Sequence, residues 1–169
     1  MSPHNRATLA QTLTIRHDIT VTFSVQPPRD WPSGYPFTAT GTAHWNSPSM
    51  EVTLFDADRS TPSWESLAYN EDAYWIVLHE LGHLMSRRQR PWRTGYFHAR
   101  SHENTLRREY DAWHWAVTHS VIPLTSHSRA MLTACLYEYE RAYPTSSQDA
   151  QVTRERRRLD KVLDNCSFL

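Results

Sequence analysis

His79-Glu80-Leu81-Gly82-His83 is the stretch whose residue types and spacing point most directly to chemistry. On an α-helix, side chains four apart share a face with Cβ atoms roughly 5–6 Å apart, so His79 and His83 can aim imidazole nitrogens at one metal ion. Zinc accepts neutral imidazole, and it is catalytic when three protein ligands leave a fourth position open. Glu80 is turned about 100° from His79. It is badly placed to join the same coordination shell and well placed to reach a water at the metal. That is the station of a general base, with the ion lowering the water's pKa and polarising a scissile carbonyl. The expected cofactor is Zn2+ and the expected catalytic residue is Glu80.

Ten histidines in 169 residues make such a pattern easier to meet by chance, so its context has to support it. Residues 73–85 are apolar nearly all round, which predicts a helix buried in the interior. Asn70-Glu71-Asp72 precede it and can cap it with acidic charge at its positive end. Two histidines and a glutamate are costly in a buried helix unless they bind something. Gly82 costs about 1 kcal/mol relative to Ala inside a helix, which is tolerable where another backbone or a ligand comes close. The alternative to a metal is a polar cluster satisfied by its own hydrogen bonds.

The third ligand sets the kind of site. A continuation H-E-x-x-H-x-x-G-x-x-H is excluded, because Ser86 and Gln89 stand where Gly and His belong. A carboxylate from a second helix is the other common solution, and a helix predicted over 101–120 offers Glu103, Glu109 and Asp111. Glu109, Ala112, Trp113 and Ala116 fall on one helical face. Small residues at 112 and 116 would let that helix approach the His79–His83 helix closely. Asp111 points about 200° from Glu109 and serves less naturally. Asp111, His98 and His102 stay open as alternatives to Glu109.

With both helices in view, the chain resembles the ImmA/IrrE family of zinc metallopeptidases, within the gluzincin group that also holds thermolysin. That family pairs an HELGH-type helix with a downstream helix of the form E-x-E-A-x-x-F-A. Here residues 109–116, Glu-Tyr-Asp-Ala-Trp-His-Trp-Ala, fit the form with Asp for the second Glu and Trp for Phe, and Pro123 closes the helix. The resemblance covers roughly residues 70–123. It implies His79, His83 and Glu109 as zinc ligands, Glu80 as catalytic base, and a zincin-like metalloprotease activity. It also implies a sheet before the active-site helix whose edge strand aligns an extended peptide, with Val52 and Leu54 in residues 50–55 as the candidate edge. The implied substrate is a protein, for instance a DNA-binding helix-turn-helix repressor of a mobile element or stress response. One departure is Trp113, where the family commonly has Asn or Asp to orient a ligating His.

The positioning elements follow from periodicity. Residues 1–11 read as a loose tail, and 12–25 alternate as one or two strands. Four prolines and a glycine make 27–36 a loop. Further strands are expected over 37–45 and 50–55, giving a small, mostly antiparallel sheet. Helices follow at 73–85, 101–120, 125–142 and 147–165, with an Arg-rich loop over 86–100. The predicted fold class is α+β, a small sheet followed by a helical bundle carrying the HExxH helix. A single domain is expected over 1–169, with sheet region 1–60, metal-site helices 61–123 and C-terminal helices 124–169.

Tyr96 and His98 in the loop between the two ligand helices, and His102 at the start of the second, are candidates for stabilising a developing oxyanion. Formal net charge is zero, which gives no global attraction to nucleic acid or anionic lipid. Of the 18 basic residues all but Lys161 are Arg. Arg87, Arg88, Arg90 and Arg93, and the run 154–158, read as solvated surface, so no direct nucleic-acid binding is expected. No stretch is long and apolar enough for a membrane span. Cys135 and Cys166 form no C-x-x-C pair, so a reducing, cytoplasmic location is the default. Two other functions use the same residues: a zincin-like metal-binding interaction or sensor module without proteolysis, and hydrolysis of a non-peptide bond.

Overall fold

A computed structural model describes residues 4–25, 38–44, 47–54, 63–89, 102–144 and 150–165, with the side chains of residues 4, 25, 86–89 and 102–104 excepted. The elements run α1 (His4–Arg16), β1 (Thr20–Val25), β2 (Ala39–His44), β3 (Ser49–Leu54), α2 (Ser66–Tyr69), α3 (Glu71–Gln89), α4 (His102–His119), α5 (Ser126–Ala142) and α6 (Ala150–Asn165). This is the expected α+β class. Two compact units divide the chain, Met1–Leu81 and Gly82–Leu169, and the division falls inside the unbroken helix α3.

In the first unit, residues 4–16 form a helix where a tail and the start of a strand were expected. Thr12-Leu13-Thr14-Ile15 does alternate, but burial follows the helical face Ala10, Leu13 and Thr14. The helix closes on Asp18, whose φ of 50° is left-handed. The Ile19 N–H donates to the Thr14 carbonyl at 2.9 Å, the 6→1 bond of a Schellman close. Asp takes a position usually given to Gly or Asn, which hid the stop signal in the sequence.

The sheet has the order β1-β3-β2, with β1 parallel and β2 antiparallel to β3. It is therefore mixed rather than mostly antiparallel. β3 is the central strand, so the expectation that Val52 and Leu54 lie on a peptide-aligning edge is corrected. Both flanks of β3 are already hydrogen-bonded, Val52 opposite Phe23 on one side and Gly41 on the other. Its alternation puts Met50, Val52 and Leu54 in the core. On the opposite face the Ser24 hydroxyl lies 2.9 Å from that of Thr53 and donates to Glu51 at 3.2 Å.

Helix α3 begins as its sequence implies. The Asn70 side-chain oxygen accepts from the Ala73 N–H at 2.9 Å, and Glu71 and Asp72 fill the first turn. Asp72 is buried and accepts from both the backbone N–H and the hydroxyl of Thr38, at 2.8 and 3.0 Å. The entry to β2 is thereby tied to the start of α3. Every residue from Ala73 to Met85 is buried. The helix continues through Gln89, so residues 86–89 are helical where a loop was expected.

In the second unit, α4 stops at His119, ahead of Ile122-Pro123, as the sequence indicates. Thr125 caps α5 through a reciprocal box with Ser128, each backbone N–H donating to the other's hydroxyl at 2.8 and 3.1 Å. Helix α6 lays Val152, Glu155, Leu159 and Leu163 inward. Arg129 of α5 reaches its far end and donates to the Leu163 carbonyl at 2.8 Å. No described helix is long and apolar enough to cross a membrane.

Candidate metal centre

His79, Glu80 and His83 are each 6–7% exposed on α3, and Glu109 is 6% exposed on α4. Four ionisable side chains at this depth need a compensating partner. His79, His83 and Glu109 each offer one donor atom, and these atoms all lie within 4.8 Å of one another. Tetrahedral zinc with bonds of about 2.0–2.1 Å holds its donors roughly 3.3–3.4 Å apart. The His83 Nε2 to Glu109 Oε2 distance is 3.4 Å. Two imidazoles and one carboxylate form a donor set suited to zinc. The residues present therefore fit the ion.

Close approach of the helices depends on Gly82. A Cβ there would stand 2.5 Å from the Ala112 carbonyl oxygen and 2.8 Å from its Cα. These are backbone atoms on another helix, so relief requires moving the helix. A glycine in this buried helix is thus explained by the close approach of another backbone. Glu109, Ala112, Trp113 and Ala116 are all buried along one face of α4.

Glu80 is positioned from the sheet side. A Cβ on Gly41 of β2 would stand 2.6 Å from Ile76 Cγ2, 2.7 Å from Glu80 Cγ and 3.2 Å from Glu80 Oε1. The bare backbone of β2 is therefore packed directly on the side chain of the expected base. Ala39 and Ala43, two residues either way, keep that face of β2 small. The Glu80 carboxylate comes to 3.4 Å from His79 Nδ1.

Among the other candidates, Asp111 turns away from the cluster. Its carboxylate lies 3.6 Å from Arg158 of α6, in keeping with its angle from Glu109. Tyr96 and His98 lie outside the described residues, and His102 opens α4 with its side chain outside them too. Trp113 fills the core. Burial pushes the Arg108 guanidinium below its ordinary value, while the neighbouring Glu109 charge works the other way.

Gly41 was missed by sequence reasoning. Its one signal was a glycine inside an otherwise regular strand pattern, which marks a bulge or a close approach of other atoms.

No protein-family model matches the chain, and neither a curated protein nor a solved structure matches it.

Proposed function

We propose that this chain is a zinc metallopeptidase of the ImmA/IrrE kind, with His79, His83 and Glu109 as metal ligands and Glu80 as general base. The observation that carries the reading is the convergence of three buried donors within 4.8 Å, with a second buried acid, Glu80, beside them. When bound, zinc supplies Lewis-acid activation of water and of a carbonyl group. The chain's own residues do the rest. His79 and His83 hold one face of the site from α3, and Glu109 brings negative charge from α4. Glu80, kept in place by the backbone of β2, takes the proton from the attacking water and delivers it to the leaving amine.

A peptide substrate is favoured by where β2 lies. As an edge of the described sheet with Gly41 against Glu80, β2 is the strand to which an extended segment would add. The substrate class, a helix-turn-helix repressor cleaved in the cytoplasm, rests on the resemblance of residues 70–123 to that family.

The test combines metal analysis with one substitution. The purified protein should carry close to one zinc per chain. Glu80→Gln should keep the ion and lose cleavage, and as a trap it should retain substrates that the wild type then cuts. Biological activity surviving Glu80→Gln would favour a metal-holding interaction or sensor module instead.

A further inference from the structure

Helix α4 carries two opposed faces. Glu109, Ala112, Trp113 and Ala116 are all buried on one of them. At 100° per residue, Arg107, Tyr110, Asp111 and His114 centre about half a turn away. That second face is tied to α5 and α6 by polar contacts. Arg107 donates to Gln151. The Tyr110 hydroxyl donates to Glu140 of α5 and accepts from Arg156 Nε at 2.9 Å, and Arg156 also donates to the same Glu140 carboxylate. Asp111 lies 3.6 Å from Arg158, which is itself held by Glu155 at 2.5 Å.

Glu109, Tyr110 and Asp111 are consecutive, so fixing two of them fixes the rotation of the third. That rotation matters because a metal site tolerates little error. A 20° turn of α4 would carry a group 5–6 Å from the helix axis through about 2 Å. Workable ligand distances lie within about 0.2 Å of their ideal values. Core packing on the Glu109 face sets how closely α4 approaches, through Gly82 and Ala112. Such packing is non-directional, so the rotation is set jointly with the polar contacts of the opposite face. On the opposite face the hydrogen bonds of Arg156 are directional and span two partners at once, Tyr110 and Glu140, while the 3.6 Å Asp111–Arg158 ion pair adds attraction without a fixed direction.

We propose that α6 is a positioning element for the metal centre. Arg156 and Arg158 hold α4 in the rotation that turns Glu109 to His83, so that metal affinity and the docking of α6 rise and fall together. The inference rests on the metal-ligand reading above and gives the C-terminal helices a task in it. Because such coupling is reciprocal, the metal must stabilise α6 by the same factor that α6 stabilises the metal.

The experiment compares Arg156→Leu/Arg158→Leu with Arg154→Leu/Arg157→Leu. The second pair removes the same charge from exposed positions of the same helix. Zinc affinity is read by competition with a chromophoric chelator, the ligand geometry by the visible spectrum of the cobalt(II)-loaded protein, and folding by circular dichroism. The first pair should weaken zinc binding by about ten-fold, the lower end of the range for groups bonded to the ligands themselves, since these arginines act one residue removed. It should also alter the cobalt spectrum while the helical signal persists, and Arg156→Lys/Arg158→Lys should restore part of the affinity. The control pair should match the wild type.

Unchanged affinity and spectrum in a folded Arg156→Leu/Arg158→Leu protein would overturn the inference while leaving the metal site standing. An equal loss in the control pair would do the same, by assigning the effect to net charge. If the double variant fails to fold, the wild type decides: zinc should slow amide exchange in residues 150–165 relative to chelator-treated protein, and no slowing there defeats the inference. A wild type that binds no zinc removes the functional reading and this inference with it.

Discussion

A Cβ on Gly82 would stand 2.5 Å from the carbonyl oxygen of Ala112, closer than two such atoms can rest. The contact joins α3, one residue before His83, to α4, three residues after Glu109, and so fixes the separation across which those two side chains meet. In an ordinary helix interior Gly→Ala stabilises by about 1 kcal/mol. Here the sign should reverse. Gly82→Ala is expected to destabilise by about 1–3 kcal/mol, the usual range for overpacking. Denaturant melts check this, and chelator competition should show weakened zinc binding in the same protein.

If Glu109 is the third ligand as proposed, Glu109→Gln should lower the zinc content of the purified protein sharply, since it replaces a buried carboxylate in the donor set by a neutral amide. His98→Ala and His102→Ala should leave it near one per chain. Zinc that persists in Glu109→Gln and disappears with either histidine would transfer the third-ligand role.

Gly41→Ala tests the proposed base apart from the proposed ligands. The added methyl meets Ile76 and Glu80 and no metal-ligand candidate among its three nearest atoms. Zinc stoichiometry should hold while peptide cleavage falls by ten-fold or more, because Glu80 is displaced from its station. Equal loss of metal and activity would mean that β2 supports α3 as a whole rather than the base in particular.

His114 should make stability fall on mild acidification. Burial lowers its pKa from the ordinary value, Arg158 adds to that, and Asp111 and Glu155 oppose it. The unfolded chain therefore takes up the proton first as pH drops through about 6.5. Stability contributed by the neutral ring is complete above that pH and declines below it. Melting temperatures from pH 7.5 down to 5.5 should fall less steeply in His114→Gln than in the wild type.

The central helix and its partner face were legible because their signals are local. An apolar run after Asn70-Glu71-Asp72 gave a capped, buried helix, and 100° spacing put Glu109 with Ala112 and Ala116. What escaped depends on other parts of the chain. Val52 and Leu54 alternate with polar residues whether their strand is central or at an edge, and only the pairing of β3 with both β1 and β2 decides it. Residues 12–15 satisfy a strand period, yet they lie in a helix that buries Ala10, Leu13 and Thr14 and closes at Asp18. Gly41 could be read as unusual, but not as the residue resting on Glu80.

Gly82 and Ala112 also change what counts as a signature. The pattern H-E-x-x-H treats the fourth letter as free, and a search built on it would accept Leu or Met there. This fold leaves no room for either, because helix separation follows the size of the side chains in contact. The informative pattern is a paired one: glycine just before the second histidine, and a small residue three places after the downstream glutamate. Chains that keep His79, His83 and Glu109 but enlarge both of those letters would need a wider gap between the helices, and their three donor atoms would stand further apart. Kinship to this protein is better sought through its two smallest residues at the crossing than through its histidines.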